Sequence, residues 1–313
     1  MSKIAFIFPG QGSQYVGMGM DFYNSSSNAK NIFDQFDAVL GRKLTDICFN
    51  GPEEELKQTT NTQPGILAVS IIAYELLKEK TGIKPDFVAG HSLGEYSALY
   101  AAGVVSLDDV INLVQRRSEL MAQAPSGSMT AVMGLDDDKL TELTQRASSQ
   151  GIVTVANYNT PDQTVITGEK EAVEAANAIA AELGAKRVIP LAVSGAFHSP
   201  LMKEASNQFA GWVKNFNINK AFMPVITNVD AKPTVESNEF SVKMVDQIHS
   251  SVYWKQTIAY MIEEGVDTFV EIGPGKVLSG MVKKISRSSK TYSISDIKSL
   301  EEVVNSIGNE VKV

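Results

Sequence analysis

From Asp86 to Leu99 the chain reads Asp-Phe-Val-Ala-Gly-His-Ser-Leu-Gly-Glu-Tyr-Ser-Ala-Leu: a short apolar run, then Gly-x-Ser-x-Gly, then a helix-like segment. That order spells a strand, a sharp turn and a helix, and it commits the surrounding chain to an α/β arrangement in which a strand delivers Ser92 to an exposed apex. Gly90 and Gly94 fit the turn because a Cβ at either place would crowd the neighbouring strand or helix. A helix starting beside Ser92 turns its free amide N–H groups and positive dipole end toward the same point, which suits a negative oxygen. Ser92 is therefore the candidate nucleophile. The plain alternative is a Gly-flanked turn that happens to carry a serine, and the strand before and helix after it argue against that alternative.

With 313 residues and 43% hydrophobic content the chain can bury a large core, as one big domain or one domain carrying an insertion. A single cysteine, Cys48, excludes an intrachain disulfide framework and a thiolate metal cluster, and it reads as a small buried apolar residue. The apolar start, Ile4 to Phe8, is too short for a signal-peptide core, and the longest apolar segment, Gly65 to Leu77, is interrupted by Ser70 and Glu75. The expectation is a soluble, cytoplasmic monomer with no membrane segment. A formal charge of −8 argues against nucleic acid as a partner and requires any acidic partner to dock on a local basic patch. The densest such cluster is Lys283, Lys284, Arg287 and Lys290, although a solvated helix end explains it equally.

Taken in order, Lys3 to Phe8 reads as a buried strand feeding the loop Pro9-Gly10-Gln11-Gly12-Ser13-Gln14. Gly10, Gly12 and Gly17 do not make G-x-G-x-x-G and no G-K-[ST] follows, so a phosphate loop is not indicated. A loop at the end of a strand beside the Ser92 strand can instead present Gln11 or a backbone N–H to a reacting carbonyl. Thr62-Gln63-Pro64 is expected to open a helix, with Pro64 in its first turn. On the helix Asp108 to Ala122 the apolar stripe of Val110, Ile111, Leu113, Val114, Leu120 and Met121 has Arg117 near its middle. A guanidinium there must be paired, either with a structural carboxylate or with the carboxylate of a substrate.

From Ser128 to Pro190 the pattern is β-α-β-β-α-β, a ferredoxin-like unit, entered through Pro125-Ser126-Gly127 and left through Val193-Ser194-Gly195. Its second strand is expected to end at Ala156, with Asn157-Tyr158-Asn159-Thr160-Pro161 as a turn. The chain has three histidines. His91 adjoins Ser92 and is expected to point away from it, His249 follows no Gly-rich turn, and His198 sits on a loop at the domain junction in Gly195-Ala196-Phe197-His198-Ser199. His198 is thus the best-placed general base, with a helix-capping histidine as the alternative. Phe197 beside it is expected to narrow the pocket at a substrate α-carbon.

With Gly10-Gln11-Gly12-Ser13-Gln14, Gly90-His91-Ser92-Leu93-Gly94, Arg117 on its helix, Gly195-Ala196-Phe197-His198-Ser199 and Glu271-Ile272-Gly273-Pro274-Gly275 in this order, the sequence resembles the malonyl-CoA:acyl-carrier-protein transacylases over nearly its whole length. The resemblance implies a hydrolase-like parallel-sheet large domain, residues 1–127 and 195–313, with the ferredoxin-like unit inserted at 128–194. It implies a Ser92–His198 dyad whose imidazole is oriented by the backbone carbonyl of Gln247, an oxyanion site at Gln11 and the Leu93 N–H, and Arg117 as a clamp on the malonyl carboxylate. Gln63, Asn157 and Asn159 match positions lining such clefts. Malonyl-CoA and acyl carrier protein are the implied partners, with the CoA thioester as substrate and no metal or other cofactor. A trans-acting acyltransferase of a polyketide pathway carries the same motifs. A serine esterase or thioesterase shares the turn but needs an acyl pocket without a buried cation, and a non-catalytic scaffold would not need the Ser92/His198 pair.

Overall fold

A computed structural model describes residues 3–193 and 195–310. In chain order its strands are β1 (Lys3–Phe8), β2 (Phe87–Gly90), β3 (Ser128–Met133), β4 (Val153–Thr160), β5 (Gln163–Gly168), β6 (Arg187–Pro190), β7 (Val225–Ile226), β8 (Pro233–Thr234), β9 (Val266–Ile272) and β10 (Lys290–Ile294). They form two sheets, one in the order β10-β9-β1-β2-β7-β8 and one in the order β4-β5-β3-β6. In the larger sheet β10, β9, β1, β2 and β7 run parallel and only the short β8 is antiparallel.

The pleat of the large sheet separates two cores. Ala5, Ile7, Phe87, Ala89 and Phe269 face one side and pack with Trp254, Ile258, Met261, Leu278 and Val282. Phe6, Phe8, Val88, Val270 and Ile272 face the other, against the long helix Thr59–Thr81 and its neighbours. Strands covered by helices on both faces must be apolar at every position, which is why β1 and β2 read as unbroken apolar runs rather than as alternation. Cys48 lies in this core as expected, and burial pushes its thiol up to about 12, which keeps it protonated.

The small sheet is wholly antiparallel, with the helices Asp137–Ala147 and Lys170–Glu182 packed over Val132, Leu140, Leu143, Ile166, Val173 and Ala176. Its two connections to the rest of the chain meet at an antiparallel bridge between Ser126 and Gly195. Ser194, within the expected exit, lies outside the described residues, as do residues 1, 2 and 311–313 of the expected large domain. Among the described residues no helix is long and apolar enough to cross a membrane.

Two local expectations are corrected. The helix expected to open at Thr62 begins at Thr59, so Pro64 stands inside it. Proline has no N–H for the carbonyl four residues back, and that carbonyl, Thr60, accepts from Arg42 Nη2 at 2.5 Å instead. β4 does not end at Ala156 but continues through Asn157, Tyr158 and Asn159. Its outer edge is paired there: Val252 N–H donates to Ala156 O at 2.8 Å and Tyr158 N–H to Val252 O at 2.9 Å, while Tyr158 stacks on Tyr253 with ring centroids 5.2 Å apart. A bridge to a segment almost a hundred residues away turns a turn-like composition into extended chain.

Candidate active site

The β2 strand ends at Gly90, the helix Gly94–Ala101 begins just beyond, and Ser92 between them has φ 50°. The glycines are required by contact. A Cβ on Gly90 would lie 1.9 Å from the Gly94 carbonyl carbon, and one on Gly94 would lie 2.0 Å from the Phe8 carbonyl oxygen. A left-handed serine costs about 1–3 kcal/mol and persists only where its surroundings hold it. Two side chains do so here. Asn228 Oδ1 accepts from the Ser92 N–H at 2.8 Å and Gln247 Nε2 donates to the Ser92 carbonyl at 2.8 Å. Asn228 in turn donates through Nδ2 to Gly90 O at 2.7 Å, and its own N–H reaches the buried Glu95 carboxyl at 2.6 Å.

Ser92 Oγ and His198 Nε2 are 2.8 Å apart. His198 Nδ1 faces two carbonyl oxygens, Gln247 O at 2.9 Å and Ser250 O at 3.1 Å. Carbonyls only accept, so Nδ1 carries the proton and Nε2 offers its lone pair to the serine hydroxyl. His198 has φ 59° and is 4% exposed. Burial, reinforced by the positive charge of Arg117, pulls its imidazole down to about 3. The ring is neutral at physiological pH and ready to accept a proton.

The other two histidines are accounted for. His249 Nε2 accepts from Lys203 Nζ at 3.1 Å, away from Ser92. His91 lines the same cavity as Ser92 but hydrogen-bonds Asn159 Oδ1 at 2.9 Å and packs edge-on to Trp254.

Arg117 is fully buried within the helix Leu107–Gln123, where the apolar stripe placed it. Nη1 donates to Gln63 Oε1 at 2.7 Å, and Nη2 donates to both Gln247 Oε1 at 3.0 Å and Ser92 Oγ at 3.1 Å. The Tyr96 ring lies 5.4 Å from its Cζ. No carboxylate forms an ion pair with it among the described residues, so the bland option, a structural salt bridge, is not what this arginine makes.

Ser92, His198, Gln11, Leu93, Gln63, Phe197 and Asn157 all line one cavity of about 110 Å³, closed further by Met121, Met129, Leu191 and Val193. The Gln11 loop is pressed against the nucleophile turn, since a Cβ on Gly10 would lie 2.3 Å from the His91 carbonyl oxygen. Among the described residues neither the Gln11 nor the Leu93 backbone N–H has a protein acceptor. Asn159 is not among the residues lining this cavity; its Oδ1 meets the ring of His91, which is, at 2.9 Å. Among the basic cluster, Lys283 is spent on closing a turn, its Nζ donating to Ser289 O at 2.6 Å. Among the described residues no group of three or more His, Cys, Asp or Glu side chains is placed to hold a metal ion.

Asn228, Glu95 and the side chain of Gln247 were not anticipated from sequence. Their signal exists only after the sheet order is known. β7 pairs β2 with Val88 opposite Val225 and Ala89 opposite Ile226, which carries Asn228, two residues beyond β7, to the side of Ser92.

The His198 environment fixes a pH dependence. Its folded-state pKa of about 3 is below the ordinary 6.5, so as pH falls through that window the unfolded chain binds a proton that the folded chain refuses. This contribution to stability is present above about pH 6.5 and is lost toward pH 3, at roughly 1.4 kcal/mol per pH unit. Urea unfolding at pH 7, 6 and 5 should show that loss in the parent, and His198→Ala should flatten it. An unchanged slope in the variant would place the acid sensitivity elsewhere.

Comparison with known proteins gives the chain a family. The profile of the acyl transferase domain family matches residues 5–309. The malonyl CoA-acyl carrier protein transacylase of Bacillus subtilis (strain 168) is 46% identical over 314 residues, covering 99% of each chain. An acyl carrier protein S-malonyltransferase from Vibrio cholerae superposes with a TM-score of 0.93 at 39% identity, over 96% of this chain and 100% of that one. A malonyl-transacylase solved in complex with a type II PKS acyl-carrier protein superposes with a TM-score of 0.94 at 38% identity, over 97% of this chain and 99% of that one. Likeness of that extent, end to end in both sequence and structure, means that this chain belongs to the acyl transferase family, among its malonyl CoA-acyl carrier protein transacylases.

Proposed function

We propose that the chain moves a malonyl group from malonyl-CoA to the phosphopantetheine thiol of acyl carrier protein, in fatty-acid synthesis, through a malonyl ester on Ser92. The observation that carries this reading is a buried guanidinium without a carboxylate partner, 3.1 Å from a serine that a neutral histidine contacts at 2.8 Å. Nucleophile and base alone describe any serine acyl enzyme; the uncompensated cation asks for an acyl group that brings an anion.

In the first half-reaction His198 Nε2 takes the Ser92 proton as Oγ attacks the thioester carbonyl. Negative charge gathers on the carbonyl oxygen, within reach of the Gln11 and Leu93 N–H groups. The tetrahedral intermediate collapses with loss of CoA, which leaves as the thiol with the proton from His198. In the second half-reaction the carrier thiol gives its proton to His198, attacks the malonyl ester and returns the Ser92 hydroxyl. Gln247 and Ser250 carbonyls hold the imidazole throughout, in the place where a carboxylate would stand in a triad. Arg117 clamps the malonyl carboxylate, and Phe197 and Gln63 shape its pocket. The CoA thioester is a substrate here and no step calls on a metal or redox cofactor.

The same reading treats residues 1–127 and 195–313 as a hydrolase-like catalytic domain and 128–194 as an inserted ferredoxin-like domain. It is supported by the parallel order around β1 and β2, the β4-β5-β3-β6 order, and the Ser126–Gly195 bridge at the base of the insertion. A cytoplasmic monomer serving a free carrier protein completes it.

The test is intact-mass analysis. Brief exposure to malonyl-CoA should add one malonyl group, located on Ser92 by peptide mapping, and addition of the phosphopantetheinylated carrier should discharge it onto the carrier. Release as free malonate at the same rate with or without carrier would identify a thioesterase instead.

A further inference from the structure

A fully buried arginine ordinarily has a carboxylate beside it, because leaving a desolvated charge unpaired is costly. Arg117 has two carboxamides. Arginine only donates, so in each amide it is the oxygen that faces the guanidinium: Gln63 Oε1 at 2.7 Å from Nη1 and Gln247 Oε1 at 3.0 Å from Nη2. The remaining amide group of Gln63 touches only the Met121 sulfur at 3.7 Å, a weak acceptor, so Gln63 is not there to link two strong partners. Arg117 Nε is buried without a hydrogen bond. The nearby carboxyl group, Glu95, makes no ion pair with Arg117: it accepts from the Asn228 N–H at 2.6 Å, and burial pushes its pKa up to about 8.

We propose that Gln63 and Gln247 are specificity-determining residues: as carboxamides they aim the Arg117 fork in the way carboxylates would, while leaving its positive charge for the carboxylate of a diacid thioester. The proposal rests on the reading of Arg117 as the carboxylate clamp. A Glu at either place would have nearly the same shape and hydrogen bond but would neutralise the guanidinium from within. The substrate carboxylate would then enter a site that is already compensated, facing a like charge.

The experiment compares loading by malonyl-CoA and acetyl-CoA, as ratios of kcat/KM, in Gln63→Glu, Gln63→Met and Arg117→Ala. Gln63→Glu should lower the malonyl-to-acetyl ratio by roughly 100-fold or more, with acetyl loading held or raised. Gln63→Met removes the hydrogen bond without adding charge, and should slow both substrates while changing the ratio less than about 10-fold. If Gln63→Glu keeps the parent ratio while Arg117→Ala loses it, the clamp stands and the carboxamides are merely structural. If Arg117→Ala also keeps the ratio, the clamp itself is wrong and the proposal falls with it. Should Gln63→Glu load neither substrate for want of folding, Gln247→Glu puts the charge on Nη2 instead. Its lost bond to the Ser92 carbonyl burdens both substrates alike and cancels in the ratio, so a parent-like ratio there overturns the proposal as well.

Discussion

Ser92→Ala is expected to abolish malonyl labelling of the protein, and His198→Ala to slow it by roughly 10³–10⁶-fold. The two effects differ in kind. Without Oγ there is no atom to carry the acyl group, so no concentration of malonyl-CoA restores an adduct. Without the imidazole the hydroxyl remains, 3.1 Å from Arg117 Nη2, with the Gln11 and Leu93 N–H groups still at the cavity, so slow loading should persist and rise with pH as hydroxide substitutes for the base. The two substitutions together should cost no more than Ser92→Ala alone, since the histidine acts only through the serine. Time courses of intact mass measure all three variants. A Ser92→Ala protein that still accumulates one malonyl group, or a double variant slower in carrier malonylation than the single, would assign the chemistry to another nucleophile.

How much of this site could be read before the structure depended on whether a residue's reason for being there was local. The Ser92 turn was legible because its five-residue pattern is itself the signal: a Cβ on Gly90 would meet Gly94 inside the turn, although the carbonyl that Gly94 has to clear, that of Phe8, comes from β1 far away in sequence. Arg117 was legible as an anomaly, a cation in an apolar stripe, although whether it met a structural acid or a ligand could not be decided from its own helix. His198 was legible by scarcity. The residues that hold these groups in place were not. Asn228 reaches Ser92 across 136 positions of sequence and Gln247 across 155, and nothing in their own neighbourhoods distinguishes them from other amides. The same holds for fold details. Asn157 and Tyr158 look like a turn until Val252 pairs with them, and Pro64 looks like a helix start until Arg42 takes the carbonyl it releases. Local chemistry marked the reacting groups, and long-range pairing supplied their alignment.

Arg117→Ala is expected to reverse the acyl preference rather than merely reduce activity. In the parent the guanidinium is desolvated by its apolar surroundings and hydrogen-bonded only to neutral groups, so an acyl chain ending in a carboxylate gains two parallel charge-assisted hydrogen bonds. An acetyl group brings no anion and leaves the buried cation unpaired. Truncating one partner of a buried ion pair costs about 3–5 kcal/mol, so discrimination against acetyl of roughly 100-fold or more is in range. In Arg117→Ala the buried charge is gone. A malonyl carboxylate then meets the buried amide dipoles of Gln63 and Gln247 alone and pays its own desolvation, while an acetyl group fits the vacated apolar space without penalty. Malonyl loading should fall and acetyl loading should rise relative to it. Arg117→Lys should recover little, because an ammonium on a flexible stem cannot donate at once to Gln63 Oε1, to Gln247 Oε1 and to a planar carboxylate. Methylmalonyl-CoA supplies a further control: it keeps the carboxylate but adds a branch at the α-carbon, and if Phe197, which lines the cavity, narrows it there as proposed, its loading should be poor in the parent and should not improve with Arg117→Ala. Measured as kcat/KM ratios across the three thioesters, a parent-like malonyl-to-acetyl ratio in Arg117→Ala would make the arginine a structural residue and remove the basis for calling the substrate a diacid.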